Sequence, residues 1–309
     1  MARRAGRTAP PSPLEQRDGV DPVRLRLPGG ARPAQDEGAR RTVRAYLLER
    51  YAAAIGAGQV EEMLAAGRFV AEGGRPVDAA TPYEAGAYVW FHRDLLPEPA
   101  VPFPVRVVHR DERIVVADKP HFLATTPRGR HVTQTALALL RRDLDLPRLS
   151  PAHRLDRLTA GVLLFTARRE VRGAYQTQFA RGEVDKTYLA RAADAPKLGL
   201  PTVVRSRIIK RRGHLQAIEE PGEPNAQTLV EHLGDDVYRL TPKTGRTHQL
   251  RVHMASLGLP IVDDPLYPNV IDVAPDDFSR PLQLLAHTLA FDDPLSGDRR
   301  EFVSKRTLS

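Results

Sequence analysis

A first group of residues able to carry out chemistry lies just before an apolar run in the middle of the chain. Asp156 stands between Arg154 and Arg157 and precedes the apolar residues 161–165. Loops at strand ends commonly display catalytic groups. Because the two flanking cations stabilise a charged carboxylate, we expect Asp156 to stay ionised. An ionised aspartate suits a nucleophile or an electrostatic stabiliser rather than a general acid, and a turn cap bound to the two arginines is the alternative.

A second polar segment, residues 242–258, follows a predicted strand and holds two arginines and two histidines. Its apolar spacing predicts a helix with Thr247 as the N-cap. Arg251 falls outside the apolar stripe and near the helix N-terminus, where anions are favoured. His248 and His253 are five residues apart, which is poor spacing for two metal ligands on one helix face. Histidines with structural hydrogen bonds are therefore the preferred interpretation.

Several classes of site are missing from the sequence. The chain contains no cysteine, which excludes disulfides, cysteine-bound zinc, iron–sulfur clusters and thiol catalysis. It also lacks a GxxxxGK(S/T) phosphate loop, a helix-opening GxGxxG, an HExxH and a GxSxG. These are the usual signatures of nucleotide, metal and serine-hydrolase chemistry. We therefore expect neither a metal nor a nucleotide cofactor.

The charge composition is typical of a protein that binds nucleic acid. The 309 residues carry 46 Lys and Arg against 38 Asp and Glu, a formal net charge of +8, and six of the cations are lysines. Arginine suits phosphates and base edges because its planar guanidinium donates several hydrogen bonds. The charge therefore predicts a polyanionic partner, most simply nucleic acid. A genome rich in G and C, which favours arginine codons, is the alternative explanation.

The chain has enough apolar residues for a substantial core. Hydrophobic residues make up 41% and charged residues 27%, which predicts one large or two modest folded domains. The first residues are basic but lack the apolar stretch of a secretory signal. The longest apolar run, residues 161–165, is far shorter than the ~20 residues that span a bilayer. We expect a cytoplasmic protein that works as a monomer.

Composition divides the chain into four parts. Residues 1–40 are rich in Pro, Gly, Ala and Arg without an apolar period, which predicts a disordered basic arm. Residues 41–96 show helical apolar spacing followed by short strand-like pieces. Residues 97–104 contain four prolines, which predicts a stiff, extended linker. Residues 105–309 form the remaining domain.

The largest part mixes strands and helices without a regular alternation, which favours an α+β fold over a doubly wound sheet. Helical periodicity predicts helices over residues 134–143, 168–181 and 247–256. Short runs rich in β-branched and apolar residues predict strands. These strands are residues 106–108, 113–117, 162–165, 187–190, 228–230, 237–240 and 289–291.

Five motifs occur in a recognisable order within this part. They are residues 111–120 (DERIVVADKP), 153–161 (HRLDRLTAG), 186–190 (KTYLA), 244–253 (TGRTHQLRVH) and 264–267 (DPLY). The set resembles the RluA-type RNA pseudouridine synthases, whose signatures include HRLDxxTSG. One such motif could arise by chance, whereas four or five in order do not. The resemblance covers about residues 105–303.

The resemblance implies a fold and an activity. It implies a pseudouridine synthase catalytic domain with a mixed, largely antiparallel central sheet, flanking helices and a catalytic cleft. The implied reaction isomerises specific uridines in rRNA or tRNA to pseudouridine, without a cofactor or a metal. A small S-four-like RNA-binding domain often precedes the catalytic domain in this family, and residues 41–96, with two small helices and a hairpin, resemble one.

The resemblance also implies roles for single residues. By its position in HRLD, Asp156 is the implied catalytic aspartate, and Arg251 is implied to pair with it and keep it charged. Tyr188 is implied to stack on the uracil and to help remove the proton from carbon five. The target base must be flipped out of the RNA, and Arg154 is the candidate to fill the vacated space. Arg246 is expected to shape the cleft or bind phosphate.

Two other functions remain open from the residues. The first is a catalytically inactive RNA-binding or ribosome-assembly protein on the same fold, and the presence of Asp156, Tyr188 and Arg251 together argues against it. The second is a carboxylate-based hydrolase of a glycosidic bond, which needs paired acid and base carboxylates. The acids nearest to Asp156 in sequence, Asp143 and Asp145, fall at a predicted helix end.

Overall fold

The computed structural model describes residues 10–29, 41–95, 97–193 and 199–309. The chain divides into two compact units, residues 1–96 and residues 97–309, and each unit has its own hydrophobic core. Among the described residues, no helix is long and apolar enough to cross a membrane.

The first unit packs two helices against a small antiparallel sheet. Its strands are β1 (Val23–Arg26), β2 (Val70–Ala71) and β3 (Tyr88–Phe91), and they lie in the sheet in the order β1-β3-β2. Its helices are α1 (Val43–Ile55) and α2 (Ala57–Ala65). Thr42 begins α1 as its N-cap because its hydroxyl accepts a hydrogen bond from the Ala45 backbone. The resemblance of this unit to an S-four-like RNA-binding domain stays a prediction.

The prediction of a disordered arm over residues 1–40 is wrong for residues 10–29. Strand β1 pairs with β3 in a continuous antiparallel register, and Leu25 and Leu27 are buried in the core of the first unit. These alternate leucines supply the apolar face of a strand, a short signal that the high Pro, Gly and Arg content obscured. The rest of the segment lies outside the described residues.

The second unit is built on one large sheet. Its strands are β4 (Arg106–Arg110), β5 (Ile114–Lys119), β6 (Ser150–Pro151), β7 (Ala160–Thr166), β8 (Asp185–Arg191), β9 (Thr202–Ile209), β10 (Ile218–Glu220), β11 (Ala226–Gly234), β12 (Val237–Pro242), β13 (Leu284–Asp292) and β14 (Arg299–Val303). Its helices are α3 (Ala136–Leu144), α4 (Arg169–Arg181) and α5 (Gln249–Ser256).

The described strands follow the order β10-β9-β11-β12-β8-β13-β7-β5-β4, with β14 paired to β13 and β6 paired to β7. Every pair among them is antiparallel except β7 with β13. This mixed, largely antiparallel sheet with flanking helices confirms the predicted α+β class. All seven predicted strands overlap observed strands, and the three predicted helices correspond to α3, α4 and α5.

Strands β9 and β14 were not predicted from the sequence. Their side chains alternate between exposed and partly buried positions, and both strands contain two arginines. They therefore lack the continuous apolar run that identifies the buried strands.

Helix α5 begins two residues later than predicted, and Thr247 is not its N-cap. The Gln249 N–H donates to the Arg246 carbonyl at 3.1 Å, which closes a turn before the helix. His248 ends this turn in the left-handed conformation, with a φ of 58°, and no side chain caps the helix start.

Strands β5 and β7 form the rigid centre of the second unit because both of their faces are covered. On one face, Leu163 and Phe165 pack in a cluster with residues of α3. On the other face, Val162 and Leu164 pack with Tyr175 of α4. The loop that leads into β7 is therefore anchored on a fully buried strand.

Gly161 sets the distance between β7 and β13. It pairs with Ala286 in the parallel register and has a φ of 115°. A Cβ atom at this position would lie 2.1 Å from the Ala286 carbonyl oxygen, far inside van der Waals contact. Only glycine allows the two backbones to approach this closely.

We expect Gly161→Ala to lower the free energy of unfolding by at least ~3 kcal/mol, because the two strands must separate or the backbone must leave its conformation. Denaturant titration measures this change. Gly173→Ala is the matched control, because Gly173 is exposed within α4 and has open space around its Cβ position. The control should be neutral or stabilising by up to ~1 kcal/mol, and equal stabilities of the two variants would contradict the close approach.

Candidate active site

A cleft of about 1130 Å³ opens on the second unit. The side chains that the sequence singled out come from the loop before β7, strand β8, the loop between β12 and α5, and helix α5. All five predicted site residues line this cleft, namely Arg154, Asp156, Tyr188, Arg246 and Arg251. The fold therefore brings together residues that lie up to about 100 positions apart in the chain.

Asp156 lies on a loop whose backbone is fixed on both sides. The Thr125 hydroxyl donates to the Leu155 carbonyl at 2.8 Å and accepts from the Leu155 N–H at 3.1 Å. The buried Lys119 ammonium donates to the Arg157 carbonyl at 3.3 Å. The Asp156 side chain is 34% exposed, so its carboxylate is held in place and yet open to the cleft.

Lys119 serves as a buried tie between loops. Its ammonium donates to the carbonyls of Pro120, Leu123 and Arg157 at 2.9, 2.7 and 3.3 Å, which uses all three of its hydrogens. Burial lowers the pKa of Lys119 to about 7, although the charge of Asp156 acts in the opposite direction. With its donors committed to backbone, Lys119 supports the Asp156 loop from below rather than entering the cleft.

Arg251 lies close to Asp156, but its tight ion pair is with Asp264. Its Nη1 is 3.9 Å from Oδ2 of Asp156, which is beyond hydrogen-bond distance. Its Nε and Nη2 donate to the two carboxylate oxygens of Asp264 at 2.7 and 2.6 Å. Arg251 is therefore within ion-pair distance of Asp156, as the resemblance implies, but the two groups are not hydrogen-bonded to each other. The guanidinium neighbours Asp156, while Asp264 fixes its orientation.

The Arg251–Asp264 pair is almost completely removed from solvent, with side-chain exposures of 2% and 0%. Burial acts to lower the pKa of Arg251, but the hydrogen bond and charge of Asp264 outweigh burial and raise it. Oδ1 of Asp264 also accepts hydrogen bonds from the N–H groups of Leu266 and Tyr267. Because the pair is buried with these bonds made, loss of one partner would leave an uncompensated charge.

His248 lines the cleft beside Asp156 and the buried Tyr267 contacts it, and sequence reasoning did not identify either as a site residue. The Nε2 of His248 lies 3.9 Å from Oδ2 of Asp156, and its Nδ1 lies 2.9 Å from the Tyr267 hydroxyl. The Arg251 guanidinium lies 5.2 Å from the centroid of the Tyr267 ring. Both residues belong to the motifs THQLR and DPLY, but a motif match does not say which members face the cleft.

Tyr188 reaches the cleft from β8, in the middle of the sheet. It pairs with Leu240 on one neighbouring strand and with Ala286 on the other. Burial and the charge of Asp156 raise the pKa of Tyr188 above its ordinary value, so the phenol keeps its proton. Its ring is placed to stack on a base, whereas the phenolate needed to abstract a proton is disfavoured.

The two remaining predicted arginines differ in how they are held. The Arg154 side chain is exposed and makes no hydrogen bond or ion pair within the described ranges. Arg246 donates from Nε to the Asn225 carbonyl at 3.0 Å. Its backbone N–H donates to the buried Gln249 side chain, which in turn binds Thr228 of β11. Arg154 is thus free to move into the cleft, while Arg246 is anchored at its edge.

The cleft is strongly cationic. Of the described residues that line it, ten are Arg or Lys and two are Asp: Arg128, Arg130, Arg154, Arg157, Arg181, Lys186, Lys210, Lys243, Arg246 and Arg251 against Asp156 and Asp272. Such an excess attracts phosphate groups. No group of three or more His, Asp or Glu side chains that could hold a metal ion is found in the described part of the chain.

Comparison with known proteins identifies relatives of the second unit. A family model described as RNA pseudouridylate synthase matches residues 113–256. The dual-specificity RNA pseudouridine synthase RluA of Salmonella typhi is 34% identical over 205 residues, which cover 63% of this chain and 90% of that protein.

Other relatives are longer than this chain or are known as structures. Human pseudouridylate synthase RPUSD2 is 33% identical over 177 residues, which cover 56% of this chain and 32% of that protein. The chain thus matches about a third of the length of the first curated relatives. The structure of human RNA pseudouridylate synthase domain containing 1 aligns with a TM-score of 0.52 and 26% identity, over 68% of this chain and 86% of that one.

We expect Asp264→Asn to lower the free energy of unfolding by about 3–5 kcal/mol, because it leaves the Arg251 charge buried without its counter-ion. Denaturant titration is the measurement. Asp263→Asn is the matched control next to it, since Asp263 pairs with the exposed Arg280 and an asparagine tolerates its positive φ of 57°. The control should change stability by less than ~1 kcal/mol. A small effect of Asp264→Asn would show that the buried pair does not stabilise the fold.

Proposed function

Because this chain belongs to the RluA-type family of RNA pseudouridine synthases, we propose that it isomerises specific uridines in rRNA or tRNA to pseudouridine. The observation that carries the proposal is Asp156, a carboxylate open to the cleft with the buried Arg251 guanidinium 3.9 Å away. Among the described residues that line the cleft, Asp272 is the one other acid. An isomerisation that needs one anionic carboxylate fits this arrangement better than a hydrolysis that needs two.

The reaction rearranges bonds within one nucleotide and needs no co-reactant. The bond between N1 of the uracil and C1′ of the ribose breaks, the detached base turns, and C5 bonds to C1′. The proton on C5 is then lost and N1 gains one. Asp156 is the proposed catalytic residue, which either attacks the nucleotide or stabilises the detached intermediate. The fixed guanidinium of Arg251 places a positive charge 3.9 Å from this carboxylate.

RNA is the proposed substrate because the cleft combines positive charge with a place for a base. Ten Arg and Lys side chains line it, and they can bind the phosphates on either side of the target. The uridine must leave its stack to reach Asp156, and the Tyr188 ring offers a surface on which it can stack. We assign Arg154 to the space that the base vacates and Arg246 to a phosphate at the cleft edge.

The remaining sequence-based expectations are kept as proposals. We propose that the chain acts as a monomer in the cytoplasm and without a nucleotide cofactor. Light scattering after size-exclusion chromatography tests the first of these proposals. An inactive RNA-binding or ribosome-assembly protein on the same fold is the competing function, and the activity of the wild-type chain separates the two.

We expect Asp156→Asn to reduce pseudouridine formation by at least ~10³-fold while leaving RNA affinity and stability near those of the wild type. The measurement uses in vitro transcripts of the host's ribosomal RNAs and tRNAs, with product nucleosides quantified by mass spectrometry after digestion. Asp143→Asn is the control, because Asp143 is exposed on α3 and does not line the cleft. Retained activity in Asp156→Asn would remove this residue from the mechanism.

We expect Arg154→Ala to slow modification of a uridine in a duplex more than modification of the same uridine in a single strand. The arginine stabilises the flipped state only where a vacated space exists to be filled. Matched paired and unpaired transcripts of one target site provide the comparison. Equal loss on both transcripts would make Arg154 a phosphate contact instead.

A further inference from the structure

We propose that the His248 imidazole is the base that removes the proton from C5, accepting it on Nε2. This inference rests on the proposed function and names a catalytic residue for it. His248 is the last residue before α5, and its Nε2 lies 3.9 Å from Oδ2 of Asp156 in the lining of the cleft. The family resemblance implies that Tyr188 helps to remove this proton, but burial raises the pKa of Tyr188 and its phenol keeps its own proton.

Hydrogen-bond counting determines which nitrogen of His248 carries the hydrogen. The Tyr267 hydroxyl lies within 2.9 Å of three groups: the Ala217 N–H, the Ala217 carbonyl and Nδ1 of His248. It has one hydrogen to donate. The buried Ala217 carbonyl can only accept, so it receives the hydroxyl hydrogen. Nδ1 of His248 must then carry a hydrogen of its own and donate it to the Tyr267 oxygen. In the neutral ring this leaves a bare lone pair on Nε2.

The lone pair of Nε2 faces a second acceptor. Oδ2 of Asp156 is 3.9 Å from Nε2, and neither atom has a hydrogen to offer the other. Two acceptors at this separation can both be approached from the cleft by one C–H or N–H group of a ligand. In the proposed reaction C5 is bonded to C1′, the carbon next to which Asp156 acts, so the C5 proton comes close to both atoms.

The backbone of His248 is held in an unfavourable conformation. Its φ of 58° and ψ of 16° are left-handed, which costs a residue with a Cβ atom about 1 kcal/mol or more. The Tyr267 hydrogen bond and the bond from Val252 N–H to the His248 carbonyl at 2.9 Å hold it there. Strain of this kind is found where a side chain must be aimed at a site.

Burial lowers the pKa of His248 and keeps its imidazole neutral near pH 7. Burial is the largest influence; Arg251 and Lys210 also lower this pKa, while Asp156 and Asp264 oppose them. Its other ionisable neighbour, Tyr267, remains a phenol because burial raises the pKa of Tyr267 to about 12. A neutral imidazole can accept a proton at physiological pH.

The proposed transfer balances. After C5 has bonded to C1′, the C5–H bond breaks, its electron pair restores the C5–C6 double bond, and the proton moves to Nε2. The C6–N1 double bond, which formed when C5 attacked C1′, returns its electron pair to N1 in the same step and leaves N1 negatively charged. The imidazolium then returns the proton to N1, which restores neutral His248 and completes the isomer.

The test compares three sets of transcripts of the host's ribosomal RNAs and tRNAs, made with UTP, 5-deuterio-UTP or 5-fluoro-UTP. We expect His248→Asn to slow uridine isomerisation about 100-fold or more and to raise the C5 deuterium isotope effect above that of the wild type. RNA made with 5-fluoro-UTP has no C5 proton at the target. The rate at which it rearranges to a carbon-linked base should therefore differ by less than about threefold between His248→Asn and the wild type. Asparagine is the chosen substitute because it tolerates the left-handed backbone and keeps a hydrogen-bond donor near Tyr267. The control variant is His232→Asn, because His232 does not line the cleft.

A wild-type measurement makes the proposal independent of the variant's folding. The isotope effect of the wild-type protein should grow as the pH falls through the pKa of His248, because protonation removes the acceptor. An isotope effect that is unchanged both by pH and by His248→Asn would overturn the proposal. An isotope effect raised by Tyr188→Phe instead would assign the proton transfer to Tyr188. Wild-type protein that forms no carbon-linked base in any transcript would overturn the proposed function, and this inference with it.

Discussion

The buried ion pair between Arg251 and Asp264 is the constraint on which the cleft depends. A guanidinium leaves water only if its charge is balanced and its donors are bonded, and Asp264 does both from the loop that follows α5. With two of its nitrogens committed, Arg251 presents Nη1 toward Asp156 at 3.9 Å. The pair therefore provides a fixed positive charge beside a carboxylate that remains open to a substrate, and it leaves that carboxylate free of a tight partner.

The large sheet determines where these groups meet. Asp156 precedes β7, Tyr188 lies on β8, and Arg251 lies on the helix that follows β12. In the sheet these strands follow the order β12-β8-β13-β7, so the three side chains come from one short stretch of its width. The close parallel contact of β7 with β13 at Gly161 fixes the spacing at the Asp156 end. Strands β5 and β7 are buried on both faces, which gives the Asp156 loop a rigid base.

Sequence reasoning identified the fold class, the positions of the buried strands along the chain and five residues that line the cleft, because apolar runs and motif positions are local signals. It did not identify Asp264 as the partner of Arg251, since several acids are available and spacing alone does not say which one a buried arginine meets. His248 was interpreted as structural because its role depends on a left-handed turn that begins α5 two residues late. Composition hid strand β1, because its buried Leu25 and the buried Leu27 just after it stand in a Pro- and Arg-rich segment.

The most direct test of the account is a map of pseudouridines in total RNA from cells with and without this gene, made with carbodiimide, which reacts with pseudouridine. The proposed isomerisation of uridine by Asp156 in the cationic cleft predicts that at least one site in rRNA or tRNA is lost without the gene. That site should return when the wild-type chain is supplied. Identical maps from the two strains would contradict the account.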